Sequence, residues 1–121
     1  LIKLATPTTN IERLKKILKT CSGFLYYVSI KGITGAKSAD PKIVKNAIKN
    51  IKKNTDIPVA VGFGIKGPKD AAVIANSGCD GIVVGSALVE IIEKSLKNKK
   101  SKHAISQKLG SMVKSIRKKL S

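Results

Sequence analysis

Short apolar runs alternate along this chain with longer segments whose apolar residues recur at helical spacing. Residues 24–30 (FLYYVSI) form a nearly continuous apolar and β-branched run, as expected for a strand buried on both faces. Residues 57–65 and 81–84 resemble it, and residues 1–6 form a shorter run that Pro7 ends. The pattern predicts four strands, each followed by a helix.

The segments between these runs carry helix start signals. Thr9 and Glu12 have the spacing of a capping box, with Thr9 as the N-cap. Asp40 and Pro41 form the N-cap and first residue of a second helix. An alanine-rich helix after the third strand and a helix over residues 87–96 complete the alternation.

A cationic stretch and one more helix close the chain. Residues 97–102 (KNKKSK) are interpreted as a polar hinge before a final helix over residues 103–120. Fewer than three heptads argue against a coiled-coil arm, so we expect this helix to pack on the outside of the fold. Its predicted apolar face consists of Ile105, Leu109, Met112, Val113, Ile116 and Leu120.

Four βα units at intervals of about 25 residues predict an α/β fold with a parallel sheet and right-handed crossovers. A (β/α)8 barrel needs about 250 residues, twice the 121 present. We therefore expect residues 1–121 to form one partial domain, half of a barrel, rather than an open four-stranded sheet. A start at Leu1, inside a strand and without an initiator Met, favours a piece of a longer chain over two copies closing the ring.

Charge and cysteine content narrow the function classes. Twenty-four Lys and Arg against seven Asp and Glu give a net charge of +17, which attracts polyanions. The chain lacks an Arg cluster and zinc-ligand spacing, so lysines on solvated helix faces are favoured over a nucleic-acid module. Cys21 and Cys79 are far apart, and no apolar run could span a membrane; a reduced, cytoplasmic protein is expected.

The candidate chemistry follows the third and fourth strands, at the end where α/β barrels bind substrates. Gly62, Phe63 and Gly64 end one strand, and Gly85 and Ser86 end the next. Glycine lets the backbone approach a ligand closely, and Ser86 would cap a helix whose free N–H groups attract anions. This pattern predicts a phosphate monoester site, although the glycines could also simply form tight turns.

The loop at residues 32–35 (GITG) is the second candidate. It follows a strand and is flanked by polar residues, so it could be a mobile lid with an amide contributed by Gly35, or an ordinary connector. Tyr26 lies in the strand before it, where a tyrosine is more often a core residue than a catalytic one.

No general acid or base is evident. The acids fall on helices, at helix starts or just before strands, which is the wrong end of the sheet. His103 beside the cationic stretch is interpreted as a surface residue, and neither a metal site nor a catalytic triad can be drawn. The acids are Glu12, Asp40, Asp56, Asp70, Asp80, Glu90 and Glu93.

Four segments in order carry a family resemblance: ATPTT at 5–9, GFLYYVSIKGITG at 23–35, PVAVGFGI at 58–65 and DGIVVGSALVEII at 80–92. The chain resembles the C-terminal half of tryptophan synthase alpha subunits over essentially its whole length. The resemblance implies the C-terminal half of a TIM-barrel lyase of tryptophan biosynthesis, which cleaves indole-3-glycerol phosphate to indole and glyceraldehyde 3-phosphate. It also implies an αββα complex whose beta subunit holds pyridoxal phosphate, while the alpha chain uses no cofactor.

The resemblance also assigns residues. Tyr26 matches a tyrosine beside the catalytic carboxylate, and Thr34 matches a lid threonine. Leu4 and Val83 match walls of the indole pocket, and Gly32 lies in the lid segment that faces the beta subunit. The implied phosphate-binding positions are Gly35, Gly62, Phe63, Gly64, Gly85 and Ser86.

Several features depart from the family pattern. The family's catalytic Glu and Asp belong to the N-terminal half, so this chain alone is expected to be inactive. Ile30 stands where some members have arginine, and the strong positive charge is not expected of the family. Another phosphate-binding TIM-barrel enzyme remains the alternative enzyme reading, and a basic nucleic-acid-binding module the alternative outside enzymes.

Overall fold

A computed structural model of the protein describes residues 1–28, 41–62 and 68–120. Its strands form one parallel sheet in the order β1-β2-β3-β4, with helices between them, which confirms the expected α/β fold. The elements are β1 (Lys3–Ala5), α1 (Ile11–Thr20), β2 (Leu25–Val28), α2 (Pro41–Asn54), β3 (Val59–Gly62), α3 (Pro68–Ala75), β4 (Gly81–Val83), α4 (Ser86–Lys97) and α5 (Lys102–Leu120).

The main core lies between the sheet and the helices that cover its outer face. Leu25 of β2 pairs in register with Val59 of β3, and both are completely buried. Val44 and Ile48, one helical turn apart on α2, are each 1% exposed and belong to the same cluster. The apolar stripe of the helix and alternate positions of the strands therefore build one layer of core, as the two periodicities require.

The first helix starts one residue later than predicted. Asn10, not Thr9, is the N-cap of α1, because the Asn10 Oδ1 accepts a hydrogen bond from the Arg13 N–H at 2.8 Å. The Thr9 hydroxyl instead accepts from the backbone N–H of Thr6 at 3.0 Å, in the turn before the helix. Asparagine and threonine both cap helices well, so the choice depends on this preceding turn. Asp40, the predicted N-cap of α2, lies outside the described residues.

The last helix packs against α3 and α4 and adds a small second core. Ile116 is buried there with Ala71 of α3, and the half-buried Met112 packs against them. Val113 and Leu120 are 51% and 42% exposed, so the prediction that they share the packed face was wrong. The helix contacts its neighbours through a narrower stripe than its apolar pattern indicates.

One face of the sheet has no helix packed on it among the described residues. We call this the inner face; it consists of Leu4, Tyr26, Val28, Ala60, Gly62, Gly81 and Val83. Leu4 is 59% exposed and Tyr26 is half-buried, whereas the outer-face neighbours of Tyr26 are buried. The expectation of strands buried on both faces was therefore wrong for the described chain, because helices cover only the outer face.

The link between α4 and α5 coincides with the cationic stretch. Helix α4 ends at Lys97 and α5 starts at Lys102, and Lys99 between them adopts a φ of 53°. That residues 97–102 act as a hinge stays a prediction. Within the described ranges, the helices lack the combination of length and apolar composition that crossing a bilayer requires.

Candidate phosphate and substrate site

Two strand ends and one helix start meet at the carboxyl edge of the sheet. Gly62, the last residue of β3, pairs with Val83, the last residue of β4. Only Val84 and Gly85 separate Val83 from the first residue of α4, Ser86. The structure therefore brings Gly62, Gly85 and Ser86 to one corner of the sheet, as the sequence predicts for consecutive parallel strands.

The N-terminus of α4 is open. Its N-cap is Gly85, not Ser86 as predicted, and no side chain of the described residues caps the helix. The N–H groups of Leu88 and Val89 donate to the Gly85 carbonyl at 2.9 and 3.1 Å. The preceding N–H groups, of Ser86 and Ala87, have no acceptor among the described residues. Free N–H groups at the positive end of a helix dipole are suited to holding an anion.

Gly85 has the open surroundings that close approach of a ligand requires. A Cβ built on Gly85 would meet no atom within 4 Å, and both Gly85 and Ser86 are exposed. The sequence had placed Ser86 at the cap because serine is a strong capping residue. Glycine also takes that position, and the shift leaves the serine hydroxyl available at the first turn.

Gly62 has a different environment, because the Tyr26 side chain lies against it. A Cβ at Gly62 would overlap the ring and hydroxyl of Tyr26. Gly62 is buried, whereas Leu4 and Val83 on the same face are exposed. The glycine thus makes room for the tyrosine, a relation that depends on strand register and that sequence reasoning missed.

The predicted indole-pocket residues share the inner face. Leu4 is the register partner of Tyr26, and Val83 is the partner of Gly62, over which the Tyr26 ring lies. Leu4 and Val83 belong to the two outer strands of the sheet. Tyr26 therefore lies between a predicted pocket wall and the candidate phosphate corner.

Five predicted site residues fall outside the described residues. They comprise the lid positions and the residues that follow β3. Their assignment to a lid and to a phosphate site stays a prediction. They are Gly32, Thr34, Gly35, Phe63 and Gly64.

Asp80 lies at the opposite edge of the sheet, before β4, and has a structural role. Its Oδ2 accepts from the Lys52 Nζ at 2.6 Å and from the Val59 N–H at 2.8 Å. The bond from Lys52, then that from Val59, holds the pKa of the Asp80 carboxyl below its ordinary value. The carboxylate joins α2, β3 and the start of β4 at the amino edge, and Asp80 also contributes to the lining of a groove with Ala60 and Val83 of the inner face.

Two of the other described acids form ion pairs on α4. Glu90 and Glu93 pair with Lys94 and Lys97 along the exposed surface of α4. Within the described part of the chain, no acid lies at the carboxyl end of a strand, and no group of His, Cys, Asp and Glu could hold a metal ion. His103 is exposed in the first turn of α5, where the sequence placed it.

A separate cavity of about 250 Å³ lies between α1 and α2. Thr9, Asn50 and Tyr27 contribute to its lining. The Tyr27 side chain is 2% exposed, its hydroxyl has no partner among the described residues, and burial raises its pKa. Sequence reasoning missed this site; the only signal was a tyrosine inside a strand expected to be buried.

Comparisons with known proteins agree on one family. The family model described as "Tryptophan synthase alpha chain" matches residues 1–118. A tryptophan synthase alpha chain from Zymomonas mobilis is 50% identical over 109 residues, which cover 90% of this chain and 39% of that protein.

Solved structures give the same picture. The alpha subunit from Legionella pneumophila superposes with a TM-score of 0.77 at 34% identity, covering 98% of this chain and 41% of that one. A tryptophan synthase complex from Pyrococcus furiosus gives a TM-score of 0.72 at 31% identity, covering 95% and 42%. The chain therefore spans about two fifths of the length of the relatives it matches.

Proposed function

Because the chain belongs to the tryptophan synthase alpha chain family, we propose that it forms the C-terminal, phosphate-holding half of a TIM-barrel lyase. The reaction proposed is retro-aldol cleavage of indole-3-glycerol phosphate to indole and glyceraldehyde 3-phosphate. The observation that supports it is the open corner at Gly85 and Ser86, where the uncapped helix α4 starts beside the end of β3.

The corner would hold the phosphate dianion through backbone donors. The N–H groups of Ser86 and Ala87, the Ser86 hydroxyl and the α4 dipole all favour a negative charge there. Each hydrogen bond to a charged group contributes about 1.5–3 kcal/mol. The net charge of +17 would also draw a dianion toward the protein from solution.

The same geometry assigns substrate binding to this chain and acid–base chemistry to the other half of the barrel. Leu4, Tyr26 and Val83 offer an apolar wall on the inner face for the indole ring. No acid of the described residues lies at the carboxyl end of a strand, so a second half-barrel would supply the general acid and base. We therefore expect no turnover from this chain alone, and we keep the predicted lid, including Thr34, as part of the proposal.

The subunit assembly is proposed by similarity to the relatives. The Pyrococcus furiosus structure is a tryptophan synthase complex, and we propose that the complete protein pairs with a beta subunit in an αββα arrangement. Pyridoxal phosphate would belong to that beta subunit, and the alpha chain would act without a cofactor. A cytoplasmic location is proposed as for a biosynthetic enzyme.

Binding of glycerol 3-phosphate tests the corner directly. Gly85→Asp places a carboxylate at the helix start, and it should weaken binding at least tenfold, the equivalent of about 1.4 kcal/mol. The matched control is Gly110→Asp on α5, which adds the same charge at an exposed glycine whose Cβ would also meet no atom within 4 Å. Titration calorimetry of the three proteins measures the affinities. Equal affinities for Gly85→Asp and Gly110→Asp would show that the phosphate is held elsewhere.

Complementation tests the catalytic half of the proposal. The chain mixed with the N-terminal portion of the Zymomonas mobilis relative should release indole from indole-3-glycerol phosphate, whereas each part alone should not. Indole release by the chain alone would refute the assignment of the acid and base to the other half. If the mixture stays inactive although the two parts co-elute in gel filtration, the proposed lyase function is wrong.

A further inference from the structure

The cavity between α1 and α2 lies on the helix-covered side of the sheet. Strand β2, which carries Tyr27, is paired on both edges, with β1 and with β3. Tyr27 belongs to the main core on the outer side, whereas its neighbour Tyr26 belongs to the inner face. The cavity and the predicted indole pocket are therefore on opposite sides of the sheet.

The wall of the cavity is mainly apolar and carries no formal charge. Among the described residues, no Asp, Glu, Lys, Arg or His lines it. Burying a charged group without a partner is strongly unfavourable, so this wall favours a neutral molecule. Its apolar side chains include Ala5, Pro7, Leu14, Ile43, Ala47 and Ile51.

The Tyr27 hydroxyl is the buried polar group of this wall that lacks a partner. Tyr27 is 2% exposed, and its hydroxyl has no hydrogen-bond partner among the described residues. The other polar side chains of the wall are already satisfied or exposed. The Thr9 hydroxyl accepts from the Thr6 N–H at 3.0 Å, the Thr6 hydroxyl lies 2.9 Å from that of Thr8, and Asn50 is exposed. A buried hydroxyl without a partner costs free energy, which a ligand bonded to it would recover.

The size of the cavity suits a single ring. Apolar cavities of about 150 Å³ in proteins take up benzene, and this one measures about 250 Å³. A water molecule would need two to four polar partners, whereas the wall offers mainly apolar side chains. Ile43 is 42% exposed although it lines the cavity, so the cavity opens to solvent beside α2.

We propose that this cavity binds a small, neutral aromatic molecule that carries one polar group. The ring lies against the apolar wall, and the polar group exchanges a hydrogen bond with the Tyr27 hydroxyl. Phenol is a suitable probe and toluene is its comparison. The two molecules have the same size and shape, but toluene cannot form the hydrogen bond.

Titration of the isotope-labelled chain with each probe, followed by the amide NMR resonances, tests the proposal. Phenol should shift the resonances of Leu14 and Ala47 beside the cavity, but not that of Gly110 on α5, and it should bind more tightly than toluene. Tyr27→Phe should weaken phenol binding about fivefold, the effect of one hydrogen bond. It should leave toluene binding unchanged. If the hydroxyl had only a structural role, the substitution would affect both probes alike.

A substitution that fills the cavity provides a second test. Ala47→Phe places a ring where the ligand would lie, so it should abolish binding of both probes. Ala104→Phe on α5 is the matched control, because both alanines are half-buried on helices and only Ala47 lines the cavity. It should leave both affinities unchanged. Far-UV circular dichroism shows whether each variant is folded; if Ala47→Phe is not, the comparison of the two probes in Tyr27→Phe decides alone.

Three results would overturn the proposal. If phenol shifts no resonance beside the cavity at concentrations up to about 10 mM, the cavity does not take up a ring. If Tyr27→Phe weakens phenol and toluene binding equally, or weakens neither, the hydroxyl is not the polar contact. If phenol binding survives in a folded Ala47→Phe variant, the ring binds elsewhere.

Discussion

Replacing Gly62 with alanine should destabilise the chain only while the Tyr26 ring is present. An alanine Cβ would overlap the ring and hydroxyl of Tyr26, so the ring must move off the end of β3. Overpacking of this kind costs about 1–3 kcal/mol. The added methyl group also lowers the conformational entropy of the unfolded chain, which stabilises the folded state by about 0.4–1 kcal/mol. We therefore expect a net loss of about 1–2 kcal/mol in the free energy of unfolding.

A double-mutant cycle isolates this contact. In a Tyr26→Ala background nothing obstructs the new methyl group, so Gly62→Ala should be neutral or slightly stabilising. The coupling energy between the two positions should be about 1–3 kcal/mol, the overpacking cost itself, which lies within the range for residues in contact. Gly85→Ala is the control for the substitution itself, because a Cβ there meets no atom within 4 Å.

Urea unfolding followed by far-UV circular dichroism measures all five proteins. Linear extrapolation gives the free energies, and the unfolding slopes show whether the denatured states are comparable. If Gly62→Ala costs more than about 1 kcal/mol in the Tyr26→Ala background as well, the loss does not arise from the ring. The close packing of Tyr26 on Gly62 would then not explain why glycine stands at this strand end.

Two further predictions concern buried and paired polar groups. Asp80→Asn should lower the unfolding free energy by about 1 kcal/mol at neutral pH, since it weakens bonds to Lys52 and Val59. Because the folded pKa of Asp80 lies below its unfolded value of 3.8, wild-type stability should fall as the pH drops below about 4; a variant with the same acid profile contradicts this. Tyr27→Phe should leave stability unchanged or raise it by up to about 1 kcal/mol, because the buried hydroxyl lacks a described partner. The folded pKa of Tyr27 is raised, so stability should decline above pH 10 in the wild type and less in the variant; parallel thermal-melting profiles would contradict it.

The order of elements could be predicted because strands and helices leave different periodicities in a sequence. The apolar run at residues 24–30 marked β2, and the spaced stripe containing Val44 and Ile48 marked α2. The sequence could not predict whether both faces of the sheet are covered. Apolar residues on both faces show that a strand can be buried on both sides, but not whether another element packs on each side. The inner face was misjudged for that reason.

The site could be predicted in part. Glycines after two consecutive strands indicated that Gly62 and Gly85 would come together, because parallel strands end at one edge; that a phosphate binds there stays a prediction. The sequence did not separate Gly85 from Ser86 as the cap, since both residue types serve there. Nor could it show that Tyr26 packs on Gly62, because that contact depends on the register between β2 and β3, which no local pattern specifies.

The hydrogen bonds of Asp80 place strand alignment and ligand binding at opposite edges of the sheet. At the amino edge, the Asp80 carboxylate holds β3 in line with the start of β4 by accepting hydrogen bonds from the Lys52 side chain and the Val59 N–H. The rim where Gly85 and Ser86 would meet a substrate is not needed for that alignment. Substitutions at Gly85 and Ser86 can therefore change which ligand binds at the carboxyl edge without disturbing the hydrogen bonds that align the strands at the amino edge.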